Sequence, residues 1–262
     1  MTDFMLSIII PVKNSAKSLE ACIESIAKIK KGSYPIEIIL IDGQSTDDTL
    51  EIIKRHSHHI EYWVSEPDAG IYDAMNKGIK YAKGKWMLFL GADDLLSEDF
   101  ECFLEQVTDP YTVYYGNVWM PNRKIVYDGK FSSLKLVKRN ICHQSILYPK
   151  EIFDHLHYNL RYPVMADYAF NIINFNKFNW EYLPFTVSIF NDYDGTSQKK
   201  SDLNFEKDKL LLIYKNFTKP VFFLAWAWLK IINILRFLGV YNLVWKFYLK
   251  MRKIKYKFFT LF

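Results

Sequence analysis

Four short apolar runs recur over the first ninety positions, the first three each followed by a segment with helical spacing. They are "LSIIIPV" (6–12), "IEIILID" (36–42), "IEYWVSE" (60–66) and "KWMLFL" (85–90). Short runs of this kind, bounded by polar turns, read as strands buried on both faces. After the first run, Leu19, Ile23 and Ile26 fall at spacings of four and three. After the second, Ser45 or Thr46 is expected to cap a helix that has Asp48 in its first turn and runs through Leu50, Ile53 and Lys54. After the third, "GIYDAMNKGIKYAKG" (70–84) reads as a helix ended by Gly84. Strand–helix alternation with short connections implies right-handed crossovers and a doubly wound, mostly parallel α/β sheet.

The rhythm breaks between about 97 and 215. "TVYYGNVWM" and "KIVYDGKF" read as antiparallel strands joined by "PNRK", "MADYAFNIINFNK" as a helix and "WEYLPFTVSIF" as a further strand. This half is expected to be α+β. With 262 residues, half of them apolar, the chain can bury one large core and still carry an appendage.

In a doubly wound sheet, ligands bind outside the carboxyl ends of the strands. That rule selects Pro11–Asn14, Asp42–Ser45, Glu66–Asp68 and Gly91–Asp94, each polar or charged. The pair Asp93–Asp94 follows a buried strand directly. Adjacent carboxylates repel, and a hard divalent cation such as Mg²⁺ or Mn²⁺, which prefers oxygen ligands, would relieve the repulsion. Asp42 is open to two readings: a turn or capping residue, or a carboxylate accepting hydrogen bonds from a nucleobase or ribose. Asp47 and Asp48 complement the helix dipole without any ligand. Lys13 and Lys77 are either solvated lysines or phosphate contacts.

The net charge of +5 conceals two materials. Residues 218–262 hold nine Lys/Arg and no Asp or Glu, while the remainder holds 25 basic against 29 acidic residues. Val221–Leu235 is an apolar stretch interrupted by Lys230, shorter than the roughly 20 residues that cross a bilayer. Beyond it, Val244, Phe247, Tyr248, Met251, Ile254 and Phe258 recur at helical spacing beside Lys246, Lys250, Lys253 and Lys257. An aromatic-rich stripe beside a lysine face reads as an amphipathic helix on an anionic lipid surface, the alternative being a helix packed on the core. Nucleic acid would leave the apolar stripe unused. Three scattered cysteines and no leader-like opening segment fit a cytoplasmic protein, peripheral on the inner face of the membrane.

The ordered set "SIIIPVKN", "EIILIDGQSTDDT", "SEPDAGIYDAMNKGI" and "GKWMLFLGADD" resembles the nucleotide-binding half of family 2 glycosyltransferases with the GT-A fold. The likeness is close over about 5–100 and looser to about 195. It implies an inverting transferase that moves a sugar from a nucleoside diphosphate, usually UDP, to an acceptor hydroxyl. It also implies a division into a nucleotide-binding half (1–100) and an acceptor half (101–215), to which the charge pattern adds a basic, aromatic, membrane-associating tail (216–262). Carried over residue by residue, it sets the nucleotide against Pro11, Lys13 and Asn14, and Asp42 against the base. Asp73, Asn76 and Lys77 would line the sugar-diphosphate pocket. Asp93 falls on the last Asp of the family's Asp-x-Asp, the ligand of Mn²⁺ or Mg²⁺. Gly91 replaces the first Asp, so Asp94 or water would share the donor-site work. The family's general base is matched by Asp167, opening the helix in "RYPVMADYAFNI"; Asp154 and Asp128 lack that context. "CHQSILY" (142–148) resembles a segment near the acceptor, which would bring His143 and Gln144 to sugar or phosphate. "NDYDGTS" (191–197) looks like a loop closing the site, with Gly195 as its hinge. The family's bacterial members and the tail together imply a lipid-linked saccharide acceptor in surface polysaccharide (O-antigen type) synthesis.

Two enzyme rivals fail at one point. "PVKNSAKSLE" has no glycine, whereas a nucleotidyltransferase needs a Gly-rich loop for triphosphate and a dinucleotide oxidoreductase needs G-x-G-x-x-G. The non-enzymatic alternative is a membrane-surface sugar-nucleotide-binding protein with a degenerate site.

Overall fold

The computed structural model describes residues 4–30, 34–193 and 201–238. Its first half runs β1 (Leu6–Val12), α1 (Leu19–Lys30), β2 (Ile36–Asp42), α2 (Thr49–Arg55), β3 (Tyr62–Ser65), α3 (Ile71–Ile79) and β4 (Trp86–Phe89). Strands pair in the order β3-β2-β1-β4, all parallel, with Leu6 opposite both Ile36 and Trp86. Every residue of β1 and β2 is buried. Alternation sends Leu6, Ile8 and Ile10 into a core with α1 and α2, while Ile9 faces α3. A Cβ on Gly78 would lie 2.4 Å from Ile9 Cγ2, so α3 rests on the sheet through a glycine. Pro11 is tolerated in a central strand because the ladder to β4 ends at Ile9, leaving no partner for the missing N–H.

The second half adds β5 (Leu95–Leu96), α4 (Phe100–Glu105), β6 (Thr112–Met120), β7 (Ile125–Tyr127), α5 (Ser133–Leu136), β8 (Ile146–Pro149), α6 (Ala166–Asn174), β9 (Asn179–Ile189) and α7 (Leu203–Asn216). The sheet continues β4-β8-β6-β9-β5, with β7 on β6. Here the sheet is mixed: β6 is antiparallel to β7 and β8, and parallel to β9. "KIVYDGKF" yields only a three-residue strand.

The chain divides into two compact units, Met1–Asn216 and Phe217–Phe262. The described part of the second is one helix, α8 (Lys219–Phe237), on which Phe223, Leu224, Trp226, Ile231, Ile234 and Phe237 are exposed. No helix among the described residues is long and apolar enough to cross a membrane. The Val244–Phe258 stripe, its lysines and Gly195 lie outside the described residues.

The bend before β4 is set by a buried carboxylate. Glu37 accepts the Ser7 hydroxyl at 2.6 Å and the Lys83 and Gly84 N–H groups at 2.5 and 3.1 Å. The third helix therefore stops at Ile79, and Gly84 serves the bend instead. A Cβ there would lie 2.5 Å from Ser7 N, a backbone atom that cannot rotate away. Gly84→Ala is expected to cost about 1–3 kcal/mol, lowering Tm by roughly 3–10 °C in a thermal melt.

Candidate active site

The loops after β1 and β2 are bonded to each other. Asn14 N–H donates to Ser45 Oγ at 2.7 Å, and Thr46 N–H returns to Asn14 Oδ1 at 2.8 Å. Ser15 N–H donates to Thr49 Oγ1 at 2.8 Å, and Ala16 N–H to Asp47 Oδ2 at 3.2 Å. Asn14 and Gln44 take left-handed backbone angles, φ 51° and 57°, to make this possible. Ser45 and Thr46 are thus committed to the loop and cap no helix. Instead α2 starts at Thr49, whose N–H and hydroxyl donate to Asp47 Oδ1 at 3.1 and 2.5 Å. Those contacts, the hydroxyl first, hold the Asp47 carboxyl below its usual range.

Asp42 is fully buried. Its Oδ1 accepts the Ser45 hydroxyl at 2.5 Å, and its Oδ2 accepts Ser45 N–H at 3.0 Å and the Ser65 hydroxyl at 2.6 Å. The structure places it beneath the rim, joining the ends of β2 and β3. Pro11 is likewise inside its strand; Lys13 and Asn14 are the exposed residues there.

The segment before α3 packs over this loop. A Cβ on Gly43 would lie 2.2 Å from Asp68 Oδ2, so that glycine makes room for a carboxylate. Asp68 accepts Gly70 N–H at 3.0 Å, and Asp73 accepts Ala69 N–H at 3.0 Å. Lys77 Nζ donates to the Pro67 carbonyl at 2.5 Å and pairs with Glu66 at 3.0 Å and Asp73 at 3.5 Å. Desolvation opposes its charge, but the Glu66 hydrogen bond and the Asp73 field outweigh it and raise the pKa. Asn76 donates to the Tyr158 carbonyl at 2.8 Å and accepts Tyr158 N–H at 2.9 Å. The residues expected to line the pocket brace this edge of the sheet. Asp73 and Lys77 tie the loop to its helix, and Asn76 ties α3 to the segment leading to α6.

Asp93 and Asp94 divide by environment. Asp93 is exposed and accepts Asn191 Nδ2–H at 3.0 Å. Asp94 is 1% exposed; it accepts Asn191 N–H at 2.8 Å on Oδ1 and Gln144 Nε2–H at 3.0 Å on Oδ2. Both carboxylates fold back over residue 91. A Cβ there would lie 2.6 Å from Asp94 Oδ2 and 3.0 Å from Asp93 Oδ1, so Gly91 is the space they occupy.

Asp167 stands in the first turn of α6 and is 6% exposed. Its Oδ1 accepts the Tyr72 hydroxyl at 2.7 Å and Tyr168 N–H at 2.8 Å. Its Oδ2 accepts Asn140 Nδ2–H at 2.8 Å and lies 3.4 Å from His143 Nδ1. His143, on a 3₁₀ turn rather than a strand, thus faces Asp167. The neighbouring Gln144 is buried and holds Asp94. Through the dipeptide His143–Gln144, Asp94 and Asp167 belong to one hydrogen-bonded constellation. Asp42 sits on the same edge but outside it. Sequence reasoning passed over Tyr72, Asn140 and Asn191; Asn191 carried the one available signal, its place in the polar run "NDYDGTS".

Among the described residues no group of three or more His, Cys, Asp or Glu could hold a metal by itself. One accessible carboxylate does fit Mg²⁺ or Mn²⁺ when the remaining ligands are phosphate oxygens and water.

Burial, then the charge of Asp93, push the Asp94 carboxyl from 3.8 to about 6. Between these pH values the folded chain keeps a proton that the unfolded chain has lost, so stability falls as pH rises through this window, by about 3 kcal/mol. Asp94→Asn, with the Gln144 amide turned to accept, is expected to raise the unfolding free energy at pH 7 by about 1–3 kcal/mol and to give no gain below about pH 4. Urea denaturation at the two pH values checks both halves.

The sequence model described as Glycosyl transferase family 2 matches residues 7–170. A PGL/p-HBAD biosynthesis glycosyltransferase of Mycobacterium bovis is 37% identical over 241 residues, 87% of this chain and 93% of that protein. Staphylococcus aureus TarS 1–349, solved in complex with UDP-GlcNAc, shares the fold at TM-score 0.67 and 17% identity, over 80% of this chain and 65% of that one. Glucosyl-3-phosphoglycerate synthase of Mycobacterium tuberculosis, solved with Mn²⁺, UDP and glucosyl-3-phosphoglycerate, does so at TM-score 0.58 and 14% identity, over 82% of each chain. With a family match over more than half its length and a relative this close along nearly all of it, the chain belongs to glycosyl transferase family 2, as a GT-A-type α/β glycosyltransferase.

Proposed function

We propose that this transferase is inverting, takes its sugar from UDP or another nucleoside diphosphate, and uses Asp167 as general base. The observation that carries the reading is the constellation joining Asp94 to Asp167 across Gln144 and His143. A donor site and a proton acceptor have to lie side by side for direct displacement. The UDP-GlcNAc complex of TarS and the Mn²⁺–UDP complex of the mycobacterial synthase support the donor class and the cation.

The nucleotide would lie over the bonded loops after β1 and β2, with exposed Lys13 and Asn14 at their edge. Asp93 would hold the cation together with the diphosphate, and the cation, when bound, supplies charge stabilisation to the leaving group. The acceptor oxygen attacks the anomeric carbon, the bond from that carbon to the diphosphate breaks, and the acceptor's proton passes to Asp167 Oδ2. Tyr72 and Asn140 hold the carboxylate in place for that transfer. Family membership as an enzyme sets aside the non-catalytic alternative.

For the acceptor we propose a lipid-linked saccharide at an anionic membrane surface, with a place in surface polysaccharide synthesis. Support comes from the exposed apolar residues of α8 and the acid-free basic sequence from 218 onward. Nothing in that chemistry calls for nucleic acid.

Asp167→Asn is expected to lower transfer by about 10²–10⁴-fold while the thermal shift given by UDP-sugar with Mn²⁺ persists. Retained turnover would remove Asp167 from the base role. The full chain is expected to sediment with phosphatidylglycerol vesicles, less with phosphatidylcholine, and to be released by high salt. Equal binding to both lipids would remove the electrostatic part of the attachment.

A further inference from the structure

The buried face of α6 carries a polar spine. Asp167 and Asn171 stand four residues apart, one turn, and Asn171 is 0% exposed among Ala169, Phe170 and Ile172, all buried. A polar side chain enclosed in this way is retained only if its hydrogen bonds are made. They are made in one sense. The Tyr148 hydroxyl donates to Asn171 Oδ1 at 2.7 Å, Asn171 Nδ2–H to Asn140 Oδ1 at 2.8 Å, and Asn140 Nδ2–H to Asp167 Oδ2 at 2.8 Å.

We propose that Asn171 is a positioning residue for the reaction: headed by Tyr148, it fixes which end of the Asn140 amide faces Asp167. An amide has one donor end and one acceptor end, so a chain of two has a direction. Turning Asn140 over would put its carbonyl against the Asp167 carboxylate and its NH₂ against the NH₂ of Asn171, two repulsions in place of two hydrogen bonds. The Asn140 backbone is already held, because the Tyr127 hydroxyl donates to its carbonyl at 2.7 Å, which leaves only the sense of the side-chain amide to be set. Burial keeps the Tyr148 phenol protonated by pushing its pKa well up, so it has a proton to donate to Asn171 Oδ1, while the acceptor-only Asp167 carboxylate sets the sense at the other end of the chain. The hydrogen bonds of the Asn171 side chain go to Tyr148 and Asn140, so it acts on the Asp167 carboxylate through Asn140.

The inference rests on Asp167 as the base, and its test is chosen to fail separately. In ¹⁵N-labelled full-length protein, the Asn140 side-chain NH₂ pair, assigned by its loss in Asn140→Leu, should be resolved and protected from solvent exchange. In Asn171→Leu it should broaden or exchange rapidly. Tyr148→Phe, which removes a single hydroxyl and keeps the ring, should act in the same direction and serves if the leucine variant does not fold. An Asn140 amide pair unchanged in the folded variants would overturn the proposal, whatever Asp167→Asn does to turnover. Where release of UDP from UDP-GlcNAc with Mn²⁺ is measurable, Asn171→Leu should lower kcat about tenfold with KM for the donor intact. In the Asn140→Leu background the same change should have no further effect; a full tenfold loss there would also overturn the proposal.

Discussion

A buried parallel sheet leaves unpaired backbone groups where its strands end, and such groups cannot stay unsatisfied out of water. In this chain carboxylates take them. Asp42 accepts the Ser45 N–H beyond β2, Asp47 those of Ala16 and Thr49, Asp94 that of Asn191, and Asp202 those of Val164 and Met165 just before α6. The bond at Asp42 closes its own loop, and the others tie one segment to another or to the helix that follows. The edge is acidic for the sake of its own loops first. Its chemistry is built on the carboxylate oxygens that remain.

This explains why two neighbouring aspartates do different work. Asp94, buried and bonded to Gln144 and Asn191, sets the position of the loop. Asp93, one residue earlier, is left in solvent beside it. The price of holding Asp94 in place is a raised pKa, because burial and the charge next door both disfavour ionisation. Under the proposed function, a cation at Asp93 would oppose the second of these and so couple donor binding to the protonation of Asp94. Gly91 belongs to the same device: the volume that a side chain would fill is where the two carboxylates sit.

The parallel half was legible because periodicity and burial agree there. Strands such as "IEIILID" are enclosed on both faces and declare it in composition. The second half was legible only in pieces. β9 runs parallel to β6 and β5 pairs with β9 from nearly a hundred residues away, relations that no local pattern encodes. Asp93, Asp94 and Asp167 stand out in the sequence by their places at a strand end and a helix start. For Asp42, Asn76 and Gln144, residue type and position do not reveal the hydrogen bonds that each side chain makes within the chain. Tyr72 was missed for the opposite reason: on an amphipathic helix it reads as core, and its hydroxyl alone reaches Asp167.

Under the proposed reaction, an acceptor hydroxyl must reach a carboxylate that already has four neighbours. Three of these contacts are 2.7–2.8 Å long, to Tyr72, Tyr168 N–H and Asn140, and the partners are held by α3, α6 and the amide chain. The fourth, His143 Nδ1 at 3.4 Å, is longer than an ordinary N–H···O hydrogen bond. His143 also keeps 15% of its side chain in solvent, against 9% for Asp167. In that reaction an incoming hydroxyl would displace the weakest partner on the open side, the imidazole. His143 would then stand beside the bound acceptor rather than under it, touching the base only before the acceptor arrives.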